Sequence, residues 1–228
     1  MLGLAAAMGM KEVNTENMIS SAQIGETITF GKYEGEAIEW IVLDKKEGST
    51  LLFSKRIIDF LPYMENADIE TSDIEWASSS IRTWLNNEFL AAAFSEDKKE
   101  SILTTTVENN AYPDDMFRIE GSASTEDQVF LPSIEEAQKL MDIDIDNYFE
   151  CEISKHAHEK MLEYYADCYG EDEAEDYVDK DWLLRTSCTI GDEYYPCIIS
   201  AGDISSRNPD ITAHAPCGVR PAIWVKSK

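Results

Sequence analysis

Residues 36–44 read Glu-Ala-Ile-Glu-Trp-Ile-Val-Leu-Asp, and no other stretch limits the fold as much. At the two-residue period of an extended chain, Ile38, Trp40 and Val42 share one face while Ile41 and Leu43 share the other. Both faces are therefore at least partly buried. A shorter extended stretch, Thr27-Ile28-Thr29-Phe30, precedes it and ends at Gly31. The polar turn Lys45-Lys46-Glu47-Gly48-Ser49 follows, and the chain returns over residues 50–54. Three short strands joined by tight turns predict an antiparallel meander.

Helical spacing begins after an irregular polar stretch at residues 65–77. Ile81, Trp84, Leu85, Phe89, Ala92 and Ala93 form one apolar stripe. Ser95 is placed to cap a short helix with Glu96 and Asp97 in its first turn. Residues 102–107 are β-branched and predict an extended segment. Residues 127–131 predict a short strand, and Ser133 with Glu136 forms a capping box that starts a helix to about Met141. A further helix over residues 155–169 points Met161, Leu162, Tyr165 and Cys168 inward. Strand candidates return at residues 182–186, 194–201 and 219–225. This order predicts a single compact α+β domain over residues 23–228, with N- and C-terminal strands in one antiparallel sheet and helices between. Residues 1–22 are expected to be a disordered segment or a signal-peptide remnant.

Charge removes some function classes. The chain of 228 residues carries 45 acidic and 19 basic side chains, a net charge of −26. Such a surface repels nucleic acid and anionic lipid, which need clustered Lys and Arg. Residues 135–181 hold 17 of the acidic and 4 of the basic residues. No apolar run is long enough to span a membrane. Five cysteines, Cys151, Cys168, Cys188, Cys197 and Cys217, cannot all pair within one chain, and none forms a C-x-x-C unit.

No catalytic or cofactor motif emerges, and no cofactor or metal is expected. Asp142-Ile143-Asp144-Ile145-Asp146-Asn147 imitates the start of an EF-hand loop, but position 6 is Asn147 instead of glycine and position 12 is Ile153 instead of glutamate. His156 and His158 point apart on a helix and cannot share one metal. His214, with Cys188 or Cys217 near it across the sheet, is the remaining route to a nucleophile and base. G-x-S-x-G and the phosphate-cradling glycine motifs are missing. Arg185 and Arg220 each sit in an apolar strand. A ligand anchor is one reading of such an arginine, and an ion pair tying loops to the sheet is the stronger one. Trp40, Trp84, Trp182 and Trp224 read as core. Trp76, in a polar stretch, is the tryptophan expected at the surface, where it could stack on a ligand.

Four blocks occur in order: Thr29-Phe30-Gly31-Lys32-Tyr33 with Ile38-Glu39-Trp40; Ser80-Ile81-Arg82-Thr83-Trp84-Leu85-Asn86; Val129-Phe130-Leu131-Pro132-Ser133 with Glu135-Glu136-Ala137; and Trp182-Leu183-Leu184-Arg185-Thr186 closing with Gly218-Val219-Arg220-Pro221-Ala222. Together they resemble a large bacterial family of domains of unknown function. The closing blocks also resemble the last strands of C-type-lectin-like folds, including the domains related to formylglycine-generating enzyme. That second resemblance implies a compact α+β domain whose long loops carry any site. It points to a non-catalytic module that binds a glycan or protein through Trp76, Asp203, Arg207 and His214, displayed at the cell surface or secreted. The alternatives are an oxidase of the formylglycine-generating type or a hydrolase using Cys217 or His214, and a structural domain of a larger surface assembly.

Overall fold

A computed structural model describes residues 17–65, 74–112, 119, 121–144, 146, 148, 151–190, 193–200, 203–205 and 214–227. Residues 1–16 and Arg207 lie outside them. Residues 17–22 of the segment expected to be disordered or a signal-peptide remnant fall within the described residues. Residues 17–21 are helical, and Ile19 is buried in the core because an apolar side chain there finds cover against the meander.

The meander forms as β1 (Thr27–Tyr33), β2 (Glu36–Lys46) and β3 (Ser49–Ser54). Trp40, Ile41, Val42 and Leu43 are all buried, as two apolar faces require. Gly31 adopts φ +84°, and a Cβ there would lie 2.6 Å from the Phe94 ring. The β1–β2 register shifts across this point, and the Trp40 indole donates to the Phe30 carbonyl at 2.6 Å. A glycine-hinged bulge thus lets an aromatic pack directly against the strand. The short strands β4 (Arg56–Ile57) and β5 (Asp59–Leu61) follow.

Helix α1 (Ser80–Trp84) is capped by the Ser79 hydroxyl and runs through a π-helical turn (Leu85–Phe89) into α2 (Leu90–Ala93). The wider turn rotates the apolar stripe. Leu90, Ala93 and Phe94 are buried, while Ala92, expected on the stripe, is exposed. Helix α3 (Glu96–Lys99) leads to β6 (Thr105–Asn109), β7 (Ser122–Asp127) and β8 (Val129–Phe130). Helix α4 (Ile134–Ile143) begins at the Ser133–Glu136 capping box. Strand β9 (Glu152–Ile153) pairs in parallel with β4, and helix α5 (Lys155–Tyr169) follows. Met161 and Tyr165 of α5 are buried, but Cys168 is exposed, because the helix runs past the sheet in its last turn.

The closing strands are β10 (Trp182–Ile190), β11 (Glu193–Ser200), β12 (Asp203–Ser205), β13 (Cys217–Val219) and β14 (Ala222–Lys226). Two five-stranded sheets result, one in the order β1-β2-β3-β14-β8 and the other β12-β11-β10-β13-β5. The single strand expected at 219–225 is in fact two. Strand β13 belongs to the second sheet and β14 to the first, and the chain changes sheet at Arg220-Pro221. Proline has no N–H to continue a ladder, so the break falls there. Strand β14 pairs antiparallel with β3, so the two ends of the chain share one sheet within an α+β domain. One hydrophobic cluster runs from Ile19 to Val225. Among the described residues no helix is long and apolar enough to cross a membrane.

Candidate functional site

A groove of about 330 Å³ lies where the two sheets and helix α4 converge. Leu51, Phe130 and Trp224 of the first sheet lie along it. Strands β6 and β7 contribute Thr105, Thr106, Glu108, Asn109 and Ser122, with Tyr112 beside them. The first turns of α4 add Ser133, Glu135, Glu136 and Lys139, and β10 adds Arg185, Thr186 and Ser187.

Most of the charge on this groove is already neutralised. The Arg185 guanidinium, 6% exposed, pairs with the Glu136 carboxylate. It also donates to the Leu131 carbonyl at 2.8 Å and to the Glu108 carbonyl at 3.1 and 3.3 Å. Arg185 therefore ties β6, the segment before α4 and α4 itself to β10. Lys139 pairs with Asp44 at 2.8 Å. Burial pulls the Asp44 carboxyl upward, but the bonds from the Lys139 ammonium and the Lys45 amide, with the charges of Lys139 and Lys46, hold it below the usual carboxylate range. The Lys46 ammonium lies 4.6 Å from the centre of the Trp224 ring. The helix terminus offers little to an anion, since the Ile134 amide donates to Thr186 Oγ1 and the Glu136 amide to Ser133 Oγ. Besides these pairs the groove is lined by Lys46, Glu108 and Glu135 and by a set of hydroxyl and amide groups beside aromatic rings. Asn109 Oδ1 is a buried acceptor with no partner among the described residues.

Three further polar clusters lock elements together, and the first of them also lines a more open cavity of about 300 Å³ at Arg82, Asn86 and Asp127. Asp127, 2% exposed, accepts from Trp76 Nε1 at 3.0 Å, Arg82 Nε at 2.7 Å and Thr125 Oγ1 at 2.5 Å. Asn86 spans the same place, donating to the Val129 carbonyl at 2.8 Å and accepting from the Gln128 amide at 2.9 Å. Asp59 accepts from Lys160 at 2.6 Å and Tyr33 at 2.7 Å, with His156 Nε2 at 3.4 Å. Burial first, and then the bond to Asp59, raise the Tyr33 hydroxyl far above its ordinary value. The cavity at Tyr33 and His156 is only about 20 Å³, room for one water, so this acid–base group has no substrate space. Arg220, wholly buried, stacks on Phe53 and Trp182 and donates to the Ser54 and Lys55 carbonyls at 3.2 and 3.1 Å.

Of the four residues expected to bind ligand, the structure describes Trp76, His214 and the backbone of Asp203. Trp76 is 0% exposed and cannot stack on anything from solution. The reason is the Asp127 carboxylate, 51 positions downstream, which draws the indole N–H inward. Asp203 begins the edge strand β12, and Arg207 lies outside the described residues. His214 is half-buried with Nδ1 3.0 Å from the Met64 carbonyl. Cys188 and Cys217 are buried, and none of the five cysteines forms a disulfide. His156 and His158 turn to different partners, Asp59 and Glu175, and no His/Cys/Asp/Glu group among the described residues could hold a metal. Of the groove residues, sequence reasoning singled out Arg185 as a possible anchor and Trp224 as core. It missed Lys46, Asn109, Tyr112 and Lys139, which no local motif or spacing marks as groove residues.

Fold and groove thus define an α+β domain built on two five-stranded sheets, with a polar groove whose walls are tied together by a buried arginine. The family described as Domain of unknown function (DUF6273) matches residues 47–227, and the chain belongs to it. The second, third and fourth blocks fall inside that range, and the first precedes it. No curated protein and no solved structure matches the chain. Within these blocks Arg82, Asn86, Glu136, Arg185 and Arg220 all sit in the locks just described, so the side chains that carry the family likeness are largely scaffold.

Proposed function

We propose that this domain is a non-catalytic binding module whose groove takes a neutral, hydroxyl-rich ligand, a glycan segment. The observation that carries the reading is the groove itself. Its volume of about 330 Å³ suits a small ligand, and Asp44 with Lys139 and Glu136 with Arg185 cancel each other. A ligand must then be recognised by hydrogen bonds and ring contact. Thr106, Asn109, Ser122 and Ser187 supply the first and Tyr112 the second. The lectin-like order of the closing blocks supports the same reading. It replaces a site at Trp76, which burial removes.

The test is a thermal-shift series with neutral oligosaccharides, run on the wild-type protein and on Ser122→Trp, which fills the groove from β7. A saturable rise in Tm that Ser122→Trp abolishes is the expected result. A rise that survives the substitution places the ligand elsewhere. No rise with any neutral oligosaccharide ends the glycan reading.

A further inference from the structure

The C-terminal end of α5 carries an aromatic surface far from any function assigned above. Tyr169 is 52% exposed and Tyr177 41% exposed, two of the four large apolar side chains left in water among the described residues. They are not scattered. Their ring centres are 3.9 Å apart and their planes differ by 9°. Tyr165 flanks the pair from the side, 6.3 Å from Tyr169 and 6.1 Å from Tyr177, and it rests on Phe60 at 6.0 Å. The platform is rooted in the core at one end and open at the other.

Its construction follows from the sequence. Gly170 takes φ +101° and ends α5, so the chain reverses. The 3₁₀ turn Ala174–Tyr177 then lies back along the helix, with Ala174 buried and Glu175 3.2 Å from His158. Residues 167–181 contain eight acidic side chains and one basic, Lys180. Asp167, Glu171, Asp172, Glu173 and Asp176, which neighbour the two tyrosines in the chain, are all exposed.

We infer that the Tyr169–Tyr177 stack, with the acidic rim around it, is a docking surface for an arginine-rich segment of a partner protein. Aromatic ring faces are electron-rich, and a planar cation gains on them whatever the surrounding charge. The carboxylates add long-range attraction for the same cation. Guanidinium answers both features, because it stacks flat on a ring and forks onto carboxylates, whereas an ammonium is a hydrated point charge. A second copy of this chain would bring like charge against like, and an anionic lipid surface would be repelled.

Polycations bind any protein of net charge −26 to some degree, so the experiment must separate stacking from bulk charge. Two peptides of equal length and charge, alternating Arg-Gly and Lys-Gly, are titrated calorimetrically into the full chain at about 0.15 M salt, where exposed charges beyond about 8 Å are screened. The Arg peptide is expected to bind about threefold tighter or better, a gain of the size that ring–cation contact supplies. That ratio collapses to about one in Tyr169→Ala, and in Tyr169→Leu, which keeps apolar bulk but loses the ring. Glu171→Gln with Asp172→Asn weakens both peptides, because it removes attraction that both cations feel. Equal affinities in the wild type, or a ratio that persists in both Tyr169 variants, overturns the inference. So does a concentration-dependent dimer that Tyr169→Ala dissociates, which would assign the face to a second copy. The outcome is independent of the groove and of its ligand.

Discussion

The Arg220 guanidinium lies 4.8 Å from the centre of the Trp182 indole, at the point where the chain leaves one sheet for the other. Phe53 of the first sheet packs on the same cation at 4.5 Å and on Trp182 at 5.7 Å. One buried cation thus joins an aromatic from each sheet. Burial lowers its proton affinity to about 10, and Cys151 and Asp144 act in the opposite direction, so Arg220 stays charged at neutral pH.

Replacing Arg220 should therefore be severe, and lysine should not rescue it. Arg220→Ala orphans the Ser54 and Lys55 carbonyls and unpacks two rings, a loss of about 3 kcal/mol or more. Arg220→Lys keeps the charge but cannot lie flat between rings while reaching both carbonyls. Urea unfolding of the three proteins checks this. A lysine variant as stable as wild type would show that charge alone matters there.

Asp127 couples residues far apart in the chain. Asp127→Ala leaves Trp76 Nε1 without its carboxylate partner and takes the ion partner from Arg82, at a cost of about 2–4 kcal/mol. Arg82→Ala in the Asp127→Ala background should add little, because both changes break the same bond. Denaturation of the four proteins as a double-mutant cycle measures the coupling, which should exceed about 1 kcal/mol.

Thiol chemistry should single out one cysteine. Cys168 is exposed, while Cys151, Cys188, Cys197 and Cys217 are buried. Burial, opposed by the Arg220 and Lys180 charges, still pushes the Cys151 thiol up, so it is shielded and protonated at neutral pH. An aromatic disulfide reagent should titrate one thiol per native chain, lost in Cys168→Ser, and five after unfolding.

The Asp44–Lys139 pair on the groove wall should give a small acid-side dependence. The folded carboxyl titrates below its unfolded value, so its contribution is full above about pH 4 and is lost as pH falls through the lower, folded value. Both side chains are partly in water, 29% and 50% exposed, so the contribution is a few tenths of a kcal/mol. The Tm gap between wild type and Asp44→Asn should be constant at neutral pH and close on acidification. A gap that widens below pH 4 would contradict the assignment.

Elements whose cause is local were legible in the chain. The two-faced apolar run at residues 36–44, the Ser133–Glu136 capping box and the helix ending at Gly170 each depend on side chains a few positions apart, so period and spacing reveal them. The family blocks were equally visible, because their order along the chain is all that a resemblance needs. What only the tertiary structure decided were the relations across long separations. Trp76 is drawn inside by Asp127, and Arg185 is bound to Glu136 from 49 positions away. Residues 219–225 are divided between two sheets because partner strands on both sides compete for them. The groove belongs to the same class. Its walls come from β6, α4, β10 and the first sheet, and no single segment carries a signal that the others will converge on it. A linear pattern records which side chains want burial, but which polar groups will satisfy them there depends on contacts that exist only once the chain has closed.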